Sequence, residues 1–291
     1  MKNRLFTYGI IFFSGFFLTL AVVYYSEWRY EEDILDSMAN RAILSAKGKG
    51  IEDAVDSAMS LTHKVVDPMA DVYGNEKFGI GKDFFISPSF LVYYYGQGAC
   101  GGYAAFTARL LNKMNIKTKF VLQTVGGVPG GHITLVIEDG SKLLLVDPLF
   151  AWTFRDSMGH MSDINQVAAN WPYYAKFKPK LYRSSYNYQN GWTYTNWNKL
   201  GIFSKSAYKI GVLIFGKQKM DRISIRAYFL GATKKYFYAC IGLCMCFVAF
   251  LVNRYIKYRS MKHRNYTSVN SIPLSGEQLN EMEPSLEYLP K

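Results

Sequence analysis

The sequence predicts an α+β domain held between two transmembrane helices, and three observations predict it. Two stretches far apart in the chain are uniformly apolar. Between them, a helical segment rich in Ala and Leu follows a glycine-rich loop. That segment leads into three alternating, strand-like runs joined by turn signals, the order of a helix packed on an antiparallel sheet.

The first apolar stretch, 5–25, reads LFTYGIIFFSGFFLTLAVVYY. It carries no charge and is roughly 21 residues long, enough to cross a bilayer as a helix. Lys2 and Arg4 precede it; Glu27, Arg29, Glu31, Glu32 and Asp33 follow. A cleaved signal peptide shares the basic start. The bulky run Val22-Val23-Tyr24-Tyr25 offers no small-x-small cleavage site, so an uncleaved anchor is expected. The second stretch, 236–252, reads YFYACIGLCMCFVAFLV. At roughly 17 residues it is short for a span. Its basic collars distinguish it from a soluble core helix: Lys234 and Lys235 before, Arg254, Lys257, Arg259, Lys262 and Arg264 after. The excess of Lys and Arg predicts a two-pass protein of the cell (inner) membrane, with both termini cytoplasmic. The segment 1–4 is then the cytoplasmic N-terminus, 26–235 lies outside, and 253–291 is a cytoplasmic tail, polar and expected to be disordered after about 257.

Between the spans, 26–89 reads as the helical first part of the external domain. Ile34, Leu35, Met38, Ala42 and Ile43 fall at helical spacing, Gly48 and Gly50 interrupt, and a second helix is expected over 51–65. Pro68, Gly74, Gly79, Gly81 and Pro88 make 67–89 turn-rich. The core, 90–150, holds the loop 96–102 (GQGACGG), a helix over 103–114 and strands over 117–125, 132–138 and 142–146. Asp139-Gly140 is a hairpin turn signal. The extension 151–235 is dense in Tyr and Trp between 171 and 197. Two readings of that segment stay open: a groove that stacks on sugars or peptides, or an amphipathic belt at the membrane interface.

The net charge of +12 is explained in part by the basic collars, and anionic headgroups just outside the second span suit the basic segment 205–226. No basic helix with interleaved aromatics and no nucleic-acid motif is present, so nucleic acid is excluded as a partner. Of the four cysteines, Cys240, Cys244 and Cys246 lie inside the second span. Cys100 is therefore the lone external thiol, with no partner for a disulfide.

Cys100 sits in a tight glycine turn at the start of a helix. The positive end of the helix dipole and the unpaired N–H groups there favour a thiolate. His132 opens a strand and Asp147 ends the next. Antiparallel pairing brings those two ends together, as a base and its orienting carboxylate require. The backbone N–H of Cys100 is a natural oxyanion donor, and Gln97 or one of Tyr93, Tyr94 and Tyr95 is a candidate second donor. His63 and His160 are the other external histidines, and neither sits in a metal-binding spacing.

GQGACGGYAAFTARLLNKMNIKTKFVL followed by GGHITLVIEDGSKLLLVDP, residues 96–148, resembles the transglutaminase-like superfamily. The resemblance implies a papain-like α+β fold with Cys100 as nucleophile, His132 as base and Asp147 as orienter. It implies a cysteine-dependent hydrolase or acyl-transferase with no metal or cofactor. Gly101 stands where animal transglutaminases usually carry Trp, and no acidic cluster suggests a calcium site, which argues away from calcium-dependent protein cross-linking. The substrates expected are peptides, proteins or peptidoglycan stems outside the membrane. A reading from a different class stays open: an accessory subunit of a membrane complex that assembles cell-envelope polysaccharide or protein.

Overall fold

A computed structural model describes residues 2–46, 50–73, 86–96, 99–197, 202–228 and 230–269. The chain falls into two compact units, Met1–Leu20 with Ala239–Lys291, and Ala21–Tyr238.

The first unit contains the ends of two long helices. Helix α1 runs Lys2–Ala46, and a second long helix, named α10 below, runs Ala232–Val269. Within this unit Phe13 and Phe17 stack on Phe247, with ring centroids 6.3 and 5.9 Å apart. Both helices are long and apolar enough to cross a membrane, and their most apolar windows are only 11% and 6% buried. The core helix of a soluble protein would bury such a window. Both helices outrun their predicted ends. No Gly or Pro interrupts 26–46, so α1 continues without a break where the sequence reading ends the span. Likewise α10 carries helix through Val269, past the tail boundary expected near 257; 270–291 lie outside the described residues.

The second unit holds the sheet. Helix α2 (Ile51–Tyr73) extends well past its expected end and takes Pro68 into its last turns. Helix α3 (Pro88–Tyr95) was not legible in the sequence. Its Pro lies in the first turn and its C-cap, Gly96, adopts φ 64°. A Cβ at Gly96 would lie 2.1 Å from the Ala70 nitrogen, so glycine meets both the left-handed backbone and the close approach to α2. Helix α4 (Ala99–Lys113) follows. Strands β1 (Thr118–Val125), β2 (Val128–Asp139) and β3 (Lys142–Asp147) form the predicted meander. Short β4 (Trp152–Thr153) and β5 (Trp192–Thr193) extend it to a five-stranded antiparallel sheet of order β4-β3-β2-β1-β5. Between them lie α5 (Ile164–Ala169) and α6 (Trp171–Tyr174). After β5 come α7 (Ile202–Phe215), α8 (Lys217–Asp221), α9 (Ile225–Tyr228) and then α10.

Strand alternation gives the sheet two packed faces. Ile133, Leu135, Ile137, Leu144 and Val146 join Phe90, Phe106, Leu110 and Met59 in a core built with α2, α3 and α4. Val121, Val136 and Leu145 point the other way, into Phe154, Trp171, Tyr174, Tyr182, Tyr186, Tyr188 and Tyr194. The aromatic segment is thus a second hydrophobic core, in place of the sugar groove or membrane belt that the composition suggested. Its rings pack edge-on and tilted, as with Phe154 against Tyr188 at 5.4 Å. Burying each such ring stabilises the fold by about 1.5–3 kcal/mol. One sheet face was still apolar and uncovered by helices, so the tyrosines close it.

Candidate active site

Residue parity along β2 and β3 decides where the site forms. His132 and Thr134 share the face of Val136, and Asp147 shares that of Leu145. The register Leu135↔Val146 places Asp147 just beyond the last pair of the ladder, diagonal to His132 on the same face. His132 Nε2 and Asp147 Oδ2 are 2.6 Å apart, and both residues are fully buried. Asp147 also caps the short 3₁₀ turn Pro148–Phe150: its Oδ1 accepts from the Leu149 N–H at 3.2 Å. The carboxylate is therefore fixed from both sides. His132 does not open its strand as the sequence suggested. β2 begins at Val128, and the turn is only Gly126-Gly127, because Pro129 to Gly131 continue the ladder across an irregularity at Gln123/Thr124.

With Nε2 committed to Asp147, Nδ1 is the ring nitrogen left for Cys100. It is buried, and among the described residues no hydrogen bond of good geometry ends on it. The half-buried Cys100 thiol and the imidazole are nevertheless close enough to shift each other's proton affinity. A loose contact of this kind is ordinary for a catalytic pair before substrate binds.

The electrostatics follow from that arrangement. Burial is the largest influence on Cys100 and raises its pKa. The imidazole of His132 and the Ile133 N–H outweigh burial, so the thiol is held below its usual value. For His132 burial acts downward, but Asp147 and the Cys100 sulfur together lift it to about 9. Burial pushes Asp147 up, against the pull of His132 and the Leu149 and Phe150 N–H groups. The pair titrates as a unit. The direction that governs its chemistry is the raised imidazole, which a carboxylate at 2.6 Å requires.

Cys100 lies in the first turn of α4, directly after Ala99, whose φ is 42°. A non-glycine residue in that region is strained, and such strain concentrates at functional turns. The Cys100 N–H belongs to the helix turn whose donors lack intrahelical acceptors. The chain matches no protein-family model, no curated protein and no solved structure.

The other expected residues fare differently. Gln97 lies outside the described residues. Tyr93 and Tyr94 pack against the helical core, Tyr93 stacked on Phe106 at 5.7 Å, and so are structural side chains. His63 holds Asp67 at 3.0 Å and the Pro148 carbonyl at 2.7 Å, bracing the turn that Asp147 caps. His160 is exposed, and Asp156 and Asp163 are engaged with backbone N–H groups. Among the described residues no cluster of three or more His, Cys, Asp and Glu is placed to hold a metal ion.

Three neighbours of the dyad carried no local sequence signal. Tyr186 stacks flat on the His132 ring at 4.2 Å and 9°. Tyr182 meets the ring edge-on at 5.9 Å, and Phe150 lies 6.0 Å away. Together they exclude water from one side of the imidazole. A cavity of 1170 Å³ lies elsewhere: Trp192, Trp197, Lys205 and Lys209 are among its lining residues, and none of Cys100, His132 and Asp147 is. Coupled ionisable groups mark a reactive site better than volume does, so Cys100 and its partners are taken as the site.

Proposed function

We propose that the protein is a cysteine-dependent amide hydrolase or acyl-transferase with a transglutaminase-like arrangement of Cys100, His132 and Asp147. One observation carries this reading: His132 is fixed through Nε2 by a buried carboxylate, while Nδ1, its other nitrogen, is left for the thiol. A structural histidine would spend both nitrogens, as His63 does.

In the proposed cycle the Cys100 thiolate adds to the amide carbonyl and the C–S bond forms. The oxyanion is met by the Cys100 N–H. Collapse breaks the C–N bond, and the His132 Nδ1 proton passes to the leaving amine. Water or a second amine then attacks the thioester, gives its proton to Nδ1, and the C–S bond breaks. Asp147 keeps the imidazole oriented and stabilises its charged form throughout, and Tyr186 shields it from solvent. Hydrolysis and transfer differ only in the second nucleophile.

We further infer that both long helices span the membrane, with Lys2, Arg4, the basic residues after the second span and both termini on the cytoplasmic side and the sheet-bearing unit outside. Helix α7 fits a lipid surface near it: Ile210, Leu213, Ile214 and Phe215 are exposed, and Lys205 and Lys209 share the helix.

The test is the pH dependence of iodoacetamide labelling at Cys100, read by peptide mass spectrometry. Wild type is expected to titrate below the ordinary thiol value of 9.0. His132→Ala removes the opposing charge but leaves burial, so its thiol is expected to titrate at or above that value. Identical profiles in the two proteins would sink the proposal. For topology, a reporter fused after Lys291 should read as cytoplasmic, and an external signal would overturn the two-span arrangement.

A further inference from the structure

Two guanidinium groups stand beside the candidate site, and nothing in the proposed acyl-transfer chemistry uses them. Arg226, on α9, lies over Gly101, the residue after Cys100. A Cβ built at Gly101 would come within 2.8 Å of an Arg226 terminal nitrogen and 3.4 Å of the Ile133 side chain. The space that a side chain would fill at position 101 is therefore occupied by a cation. Arg183 lies over the outer side of the site, its guanidinium carbon 6.0 Å from the centre of the Tyr186 ring that stacks on His132.

Both arginines are exposed, and among the described residues neither forms an ion pair. The domain does pair other cations. Arg109 and Lys113 meet acidic residues of α1, Lys119 meets Glu138, and Arg155 meets Glu52 and Asp56. An arginine left with free donors beside a reactive thiol has the geometry to hold a carboxylate in two parallel hydrogen bonds.

We propose that the site selects acyl donors carrying a carboxylate next to the scissile amide, with Arg226 as the residue that reads it and Arg183 in a secondary role. This rests on the proposed thiol chemistry, since it names the substrate class for that same site. Arg226 is a specificity residue here, and the absence of a side chain at Gly101 leaves the space its guanidinium occupies. The substrate class is an acidic peptide or peptide-like amide. A neutral glutamine-type acyl donor would leave the guanidinium unpaired.

The experiment compares two alkylating probes of similar size on the full-length protein in neutral detergent. Iodoacetate carries a carboxylate, and iodoacetamide does not. The readout is the ratio of their second-order rate constants at Cys100, measured at one pH by mass spectrometry of the Cys100 peptide. Any change in thiolate fraction cancels in the ratio. The wild-type ratio is expected to exceed that of a free cysteine peptide. Arg226→Gln is expected to lower it about fivefold, Arg183→Gln by less, and Arg226→Lys, which keeps the charge but not the two parallel bonds, by an intermediate amount. Raising the salt to about 1 M should move the wild-type ratio toward that of Arg226→Gln. An unchanged ratio in Arg226→Gln, or an equal fall in Arg226→Lys and Arg226→Gln, overturns the proposal. The two readings fail differently: loss of the His132 dependence of iodoacetamide labelling removes the triad, whereas a ratio insensitive to Arg226 removes only the anion selectivity.

Discussion

Among the described residues the sheet-bearing unit contains two buried carboxylates, and they are solved in opposite ways. Glu31 is fully buried on α1 and is saturated. It accepts from Arg109 at 2.5 Å, from the Thr233 hydroxyl at 2.9 Å and from the Ser87 N–H at 3.3 Å. Arg109 also donates to Ser87, Ser89 and Glu32 and lies 5.0 Å over Phe90. Asp147 is equally buried, but its partner is an imidazole with one nitrogen unspent. The contrast separates a structural charge from the one proposed to be reactive. A permanently charged partner bonded to Glu31, Ser87, Ser89 and Glu32 fixes α1 against α3 and α4. A titratable partner with one free position can hand a proton to something else. Burial alone does not distinguish them; saturation does.

The largest expected effect breaks the structural pair. Arg109→Met leaves the Glu31 carboxylate buried without its countercharge and should cost about 3–5 kcal/mol. Thermal unfolding in detergent should show a melting temperature lower by on the order of 10 °C. Adding Glu31→Met should recover most of it, because a packed apolar pair replaces the charges. If the double variant is as unstable as the single one, the cluster does more than neutralise Glu31.

The reactive pair should reveal itself through pH. His132 is raised from 6.5 to about 9 in the fold. A raised imidazole contributes stability that is fully present below the unfolded value and is lost as pH rises through the folded one. The melting gap between wild type and His132→Ala should therefore be widest near pH 6.5 and narrow by on the order of 2–3 kcal/mol as pH passes about 9. No such narrowing is expected for Arg109→Met, because a guanidinium stays charged throughout that range. A gap that widens with pH would reverse the assignment of the charged form.

Smaller effects sharpen the same contrast. Asp147→Asn keeps an oxygen to cap the Leu149 N–H but removes the charge, so iodoacetamide labelling at neutral pH should fall about tenfold. Tyr186→Ala removes the ring stacked on His132, worth about 0.5–1.5 kcal/mol. It should slow labelling severalfold, and Tyr186→Phe should restore it, since the stacking needs no hydroxyl. A loss in Tyr186→Phe equal to that in Tyr186→Ala would transfer the role to the hydroxyl.

Legibility in the sequence followed the range of the interaction. The meander was readable because alternation and Asp139-Gly140 are local signals. So was the meeting of His132 with Asp147, since a short hairpin joins them. The start of β2 was misjudged because Pro129 and the surrounding glycines look like a turn, yet they pair across a ladder irregularity that no local pattern announces. Helix α3 was hidden among turn formers: Pro88 suits a first helical turn as well as a loop. Tyr186, Arg183 and Arg226 reach the site from segments about 40 residues or more downstream of it, with spacing set by packing rather than by periodicity.

The sequence by itself determined the two apolar helices, the helix-then-hairpin order and the meeting of His132 with Asp147. These depend on composition, on periods of 3.6 and 2, and on short connections, all properties of neighbouring residues. Only the tertiary structure decided what covers the second face of the sheet, which buried charge is saturated and which is left open, and what stands over Gly101. Each of those depends on contacts between distant segments, where side chains compete for the same space and the same hydrogen-bonding atoms.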